Sequence, residues 1–188
     1  NRDDAGLAKR LPLGNTTRTR ISSQCLKRHW RIADDPFALS MLNVPMAIRT
    51  RGALERIRSL IMAQNIAEPL AQAAAEALRD GGLVDKAGKA IKGEDALKTG
   101  QAVLMGKAEM DYLANRCVAL AQAHPTETAL KAAVLKLLKD EKANIQALKI
   151  GSGLESALFG RMVTSDVLAS RDAAVYVAHS FTVHAAQV

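Results

Sequence analysis

The sequence predicts an α+β chain that is predominantly α, and three observations carry that reading. Arg18-Thr-Arg-Ile21 alternates polar and β-branched residues, as a short strand does. The zone from about 37 to 149 is rich in Ala and Leu at helical periodicity. Breaking signals fall between the periodic segments, at Asp34-Asp-Pro36, Gly81-Gly82 and His124-Pro125.

Taken in order, the strand at 18–21 leads into Ser22 and Ser23, whose hydroxyls suit an N-cap. From Gln24 the pattern is helical. Gln24, Lys27, Arg28 and Arg31 are spaced to share one helix face, with Leu26 and Trp30 opposite. One side thus carries an amide and three cations, and the other is expected to pack. Pro36 ends this helix, because the residue before a proline avoids the α region. Helices are then expected over 52–64, 67–79, 107–123, 126–140 and 141–149. Leu130, Val134, Leu137 and Leu138 form an apolar stripe and are expected core. The stretch 101–105 is too short to assign. After Gly151-Ser-Gly153, residues 154–163 read equally as a buried strand or a short helix. Ala174, Val177, Ala178 and Phe181 share a face, so the first part of 172–184 is expected to be helical. These segments divide the chain into zones of 1–36, 37–149 and 150–188.

Charge is the sharpest feature. Through Arg31 there are eight bases, Arg2, Lys9, Arg10, Arg18, Arg20, Lys27, Arg28 and Arg31, against Asp3 and Asp4. That stretch therefore holds +6 of the chain's net +7, and the remaining 157 residues are almost neutral. Charge concentrated in this way is a footprint for a polyanion. A basic helix face is also a common solvated surface. Two further arginines on the preceding strand, and the exposed N–H groups of a helix start, favour phosphate.

Composition narrows the kind of polyanion contact. Only 3% of the residues are aromatic, so few rings are available for base stacking. Binding to RNA is expected through the backbone, with aliphatic side chains between bases. Cys25 and Cys117 form no CxxC pair, which argues against a disulfide framework or a zinc site and fits a reducing cytoplasm. No apolar run approaches the length of a membrane span, and no signal peptide opens the chain.

Catalysis has no positive support. His29, His124, His179 and His184 are scattered, and the last two are five apart rather than at the i, i+4 spacing of a helical metal pair. Asp3 and Asp4 are adjacent carboxylates of a kind that ligates Mg²⁺ in phosphodiesterases, but such pairs more commonly form turns or pair with nearby arginines. There is no P-loop, GxSxG or GxGxxG motif. No catalytic residue, metal or cofactor is assigned.

Asn1-Arg-Asp-Asp4, then RTRISSQCLKRHWR at 18–31, LFGRMVTSD at 158–166 and DAAVYVAHSFTVH at 172–184 follow one another in a distinctive order. In these motifs the chain resembles the backbone subunit of the type I-E CRISPR Cascade complex, the CasC family. The resemblance implies a partial RRM-like (ferredoxin-like) palm carrying a large inserted helical fingers domain. Residues 1–36 and 150–188 would belong to the palm, and 37–149 would be the fingers. It also implies a chain lacking the family's first strand, its thumb and the rest of its palm. Cys25 stands where the family usually has a small hydroxyl residue.

Function follows from the same resemblance. Copies of such a subunit polymerise along a crRNA, beside other Cascade subunits, and meet target DNA through that RNA. Arg2, Arg20, Ser22, Gln24, Lys27 and Arg28 would hold the crRNA backbone, joined on the basic surface by Arg18 and Arg31. Met162 would wedge beside a kinked nucleotide, with Arg161 nearby. Two competing readings are a metal-dependent RNase built on Asp3 and Asp4, and a DNA-binding regulator using the helix from Gln24.

Overall fold

In a computed structural model the chain is described over residues 6–83, 96–100, 102–148, 152–162, 167–168 and 170–186. It forms two compact units, one of residues 1–44 with 175–188 and the other of residues 45–174. The sequence divided the chain at 36/37 and 149/150 instead.

In the first unit, β1 (Arg10–Leu13) and β2 (Thr16–Ile21) make an antiparallel hairpin across Gly14-Asn15. Pro12 cannot donate to a ladder, and it sits on the edge strand where that costs least. The other side of β2 pairs with β5 (Ser180–Phe181) through Arg20 and Ile21. Hydrogen bonds from Thr182 N to Thr19 O and from Ala186 N to Thr17 O extend that pairing. This corrects the helix expected early in 172–184. Residues 174–179 are not helical, and the segment closes on β2. Val175, Tyr176 and Val177 favour extended backbone, and an open strand edge supplies the partners. Helix α1 (Ser23–Ile32) follows β2 directly. A 3₁₀ turn at Leu39–Leu42 comes after it.

The second unit is a helical layer with a two-stranded ribbon. The ribbon pairs β3 (Ala47–Thr50) with β4 (Val103–Gly106), which were not read from the sequence. Its helices are α2 (Ala53–Met62), α3 (Glu68–Asp80), α4 (Lys107–Ala123), α5 (Glu127–Asp140), α6 (Lys142–Ala147) and α7 (Leu154–Phe159). The first five of these lie where the periodicity placed them. The ambiguity at 154–163 resolves as the short helix α7.

Periodicity explains the packing. Leu54, Ile57 and Ile61 of α2 are spaced three and four apart and are all buried. Leu130, Val134 and Leu138 do the same on α5, and Leu137 is buried too. Between them α3 buries Ala71, Ala74, Ala75 and Ala77 with Leu78, and small side chains let its neighbours approach closely. The expected stripe on α5 is core.

Ion pairs tie these helices at their rims. Lys131 of α5 meets Glu76 of α3 at 2.7 Å. Glu141, beside the end of α5, accepts from Tyr112 and Arg116 of α4. The hydrogen bond from Lys131 holds the Glu76 carboxyl below its usual value, and Glu76 raises Lys131 in return. Burial pushes Glu141 up, but hydrogen bonds from Tyr112 and Arg116, with the Arg116 charge, bring it below the ordinary range. Tyr112 is raised, chiefly by donating to Glu141.

A candidate nucleic-acid interface

Five of the seven described basic residues of the first unit lie on two consecutive elements. Arg18 and Arg20 lie two apart on β2 and so share a face of the strand. Ser22 then turns the chain. Its backbone is extended, and its Oγ accepts from Cys25 N at 3.2 Å, capping α1 as the sequence predicted. Along α1, Gln24, Lys27, Arg28 and Arg31 fall at i, i+3, i+4 and i+7, on one face. Gln24 and Arg28 are exposed, and Lys27 and Arg31 are half-buried.

The opposite face packs less than expected. Leu26 is half-buried, Trp30 is 46% exposed, and α1 has no fully buried residue. Trp30 lines a groove of about 240 Å³ with His29, Ala33, Asp35, Phe37 and Ala38. The helix is held by its cap and meets the 3₁₀ turn at Leu39–Leu42.

The start of α1 is also less open than a bare helix N-terminus. Ser22 takes one of its N–H groups, and His179 Nδ1 accepts from Ser23 N at 3.1 Å. That contact gives His179 a structural partner. Two of the donors that the sequence pattern offered to phosphate are thus satisfied within the chain. Any anion on this surface is met chiefly by side-chain cations.

The described residues singled out from the sequence take different places. Arg18 reaches across β2, donating to the carbonyls of Leu13, Thr182 and Val183. It braces the unit and brings an uncancelled charge to the surface. Arg20 sits half-buried on the same strand face, and its backbone is locked to Lys9 and Phe181. The Nε of Arg31 is buried with no hydrogen-bond partner. Arg2, Asp3 and Asp4 lie outside the described residues.

Arg161 and Met162 belong to the second unit. Met162 is 94% exposed, but Arg161 is not a surface cation. Its side chain is 1% exposed and pairs at 2.7 Å with Glu109, which is equally buried. A phosphate on the surface would meet Met162, with the Arg161 charge already neutralised inside. Sequence inspection missed Glu109, whose only visible signal was a carboxylate in the first turn of a helix.

Among the described residues no group of His, Cys, Asp and Glu side chains could hold a metal ion. Cys117 is buried, and desolvation pushes its thiol up to about 12, which removes it as a nucleophile at neutral pH. No described helix is long and apolar enough to cross a membrane.

No curated protein sequence matches the chain. Solved structures do, among them two that match over 98% of its length. One, titled a CRISPR RNA-guided surveillance complex, has 29% identity and a TM-score of 0.69. The other, a CRISPR RNA-guided surveillance complex in a pre-nicking state, has 28% identity and a TM-score of 0.68. The match covers 54% and 49% of those chains, so this chain spans about half their length. The model of the CT1975-like protein family matches residues 1–188, and the chain therefore belongs to the CT1975-like family of Cas proteins.

Proposed function

We propose that the protein is a non-catalytic guide-RNA-binding backbone subunit of a type I-E CRISPR complex. Copies of it polymerise along a crRNA in the cytoplasm, beside other subunits, and hold the RNA's phosphates so that its bases remain free for target DNA. The first unit corresponds to an RRM-like palm and the helical unit to the fingers. The carrying observation is the gathering of Gln24, Lys27, Arg28 and Arg31 on one face of α1, directly after Arg18 and Arg20 on β2. The described part of that unit has seven Lys or Arg residues and two acids, Asp34 and Asp35. Four of the chain's six aromatic residues, Trp30, Phe37, Tyr176 and Phe181, also lie in this unit, so base stacking is open to it beside phosphate contact. The type I-E assignment rests on the NRDD and RISSQ-x-LKR-x-x-R motifs.

The test is a salt titration of single-stranded RNA binding by the full-length protein. With about five phosphate contacts, log K should fall against log salt with a slope of about −3 to −4. Replacing Lys27 and Arg28 by Ala should weaken binding to all sequences alike and flatten the slope by about 0.7 for each phosphate no longer neutralised. Indifference to both changes overturns the assignment of α1. Cleavage of labelled RNA in Mg²⁺, lost on Asp4→Ala, would instead make the protein an RNase. Tighter binding to duplex DNA than to single-stranded RNA would favour the regulator.

A further inference from the structure

We propose that the buried Glu109–Arg161 ion pair is a positioning device that holds Met162 out of the helical unit as a contact for RNA. The inference rests on the RNA-binding reading above.

Four observations converge on the Gly160-Arg161-Met162 turn. Arg161 Nη1 donates to Glu109 Oε2 at 2.7 Å and reaches Leu104 O at 3.4 Å, so it is fastened to the end of β4 and the first turn of α4. Glu109 Oε2 also accepts from Gly106 N at 2.9 Å, so its carboxylate is fixed by the helix start. The backbones of Arg161 and Arg171 exchange hydrogen bonds of 2.8 and 2.9 Å, clamping the turn against the returning chain. Gly160 takes φ +77°, and a Cβ there would lie 3.0 Å from Arg171 O and 3.1 Å from Ala173 N. Only glycine fits that corner without strain.

Adjacent side chains on extended backbone point to opposite sides. Pinning Arg161 inward therefore turns Met162 outward, and its 94% exposure is unusual for so large an apolar side chain. Stability alone is a poor reason for the pair. A buried ion pair replaced by apolar residues of similar volume is often neutral or stabilising. Here Glu109 Oε1 is also buried with no hydrogen-bond partner, an added cost that a Leu- and Ala-lined core would not carry. The pair gives what an apolar contact cannot, a fixed direction for the residue that follows. A flexible thioether then meets the ligand surface.

The experiment is a double-mutant cycle in the full-length protein, read by anisotropy of a labelled single-stranded RNA of mixed sequence, with thermal melting alongside. The neutral pair Glu109→Gln with Arg161→Gln and the single change Met162→Ala should each weaken binding by about 3- to 10-fold. Combined, they should weaken it no further, because the pair acts through Met162. An undiminished loss from the neutral pair in the Met162→Ala background overturns the inference, as does a folded neutral pair that binds normally. Arg161→Lys, which keeps a buried cation but not the guanidinium's reach, goes through the same cycle, so misfolding of the neutral pair does not end the test. If Met162→Ala is silent while Lys27→Ala with Arg28→Ala weakens binding, the positioning role falls and the RNA-binding reading stands. If every variant binds normally, both fall.

Discussion

The two units solve the problem of staying folded in different ways. In the helical unit, side chains such as Leu54, Ile57, Leu78, Leu113 and Leu130 are fully buried and form one continuous cluster. In the basic unit the buried residues, among those described, are Ala38 and Ser22. Phe37, Met41, Tyr176 and Val183 are exposed there, Phe37 to 91%. The helical unit draws on apolar burial, while the basic unit draws on strand pairing, a helix cap and arginine-to-carbonyl bonds. The difference teaches that the unit carrying the charge leaves large apolar side chains uncovered, while the helical unit buries its own.

The comparison is broken most directly by truncating one large apolar residue in each unit. Leu78→Ala in the helical unit removes a fully buried side chain from between α2 and α5 neighbours and should cost about 2–5 kcal/mol in denaturant unfolding. Phe37→Ala should change stability by less than about 0.5 kcal/mol, since the ring is almost wholly in solvent. Equal costs would show that Phe37 packs and that the contrast is false.

A smaller effect sharpens the account of α1. Ser22→Ala removes the Oγ that accepts from Cys25 N. With no buried residue to compensate, α1 should lose about 1 kcal/mol, read as roughly fivefold faster amide exchange along 23–32. Exchange in α4 and α5 should be unchanged. Protection of α1 that survives the substitution would mean the helix is held by packing after all.

Much of this was legible in the sequence, and the limits have physical causes. Helices α2 to α6 were readable because each buries one stripe, and a stripe leaves a period. The Ser22 cap and the basic face of α1 were readable because they depend on neighbours in sequence. Strands β1, β3 and β4 were missed because four-residue strands carry too short an alternation to stand out. The segment from 172 was read as helix from weak spacing, when its extended form depends on β2, more than 150 residues earlier. Arg161 was placed near the RNA by resemblance, and its burial was not legible, because its partner Glu109 is distant in sequence and follows from no local pattern. Charge composition locates a candidate surface, but only tertiary contacts tell which arginines are on it.

The smallest effect concerns pH and lies in the helical unit. Glu76 and Glu141 have depressed carboxyl values, so each contributes stability that is present above the ordinary glutamate value of 4.5 and is lost as pH falls through the lower folded value. Lys131 is raised above 10.5, so its contribution is present below that value and fades as pH rises past it. These groups are partly exposed, and screening limits the Glu76–Lys131 pair to about 0.5 kcal/mol. The helical unit should therefore hold a level melting temperature between those limits and lose stability below pH 4.5. Lys131→Met should remove part of that acid-side loss, because Glu76 then loses the partner that depresses it. An acid-side loss that Lys131→Met leaves unchanged would mean that Glu76 does not carry it.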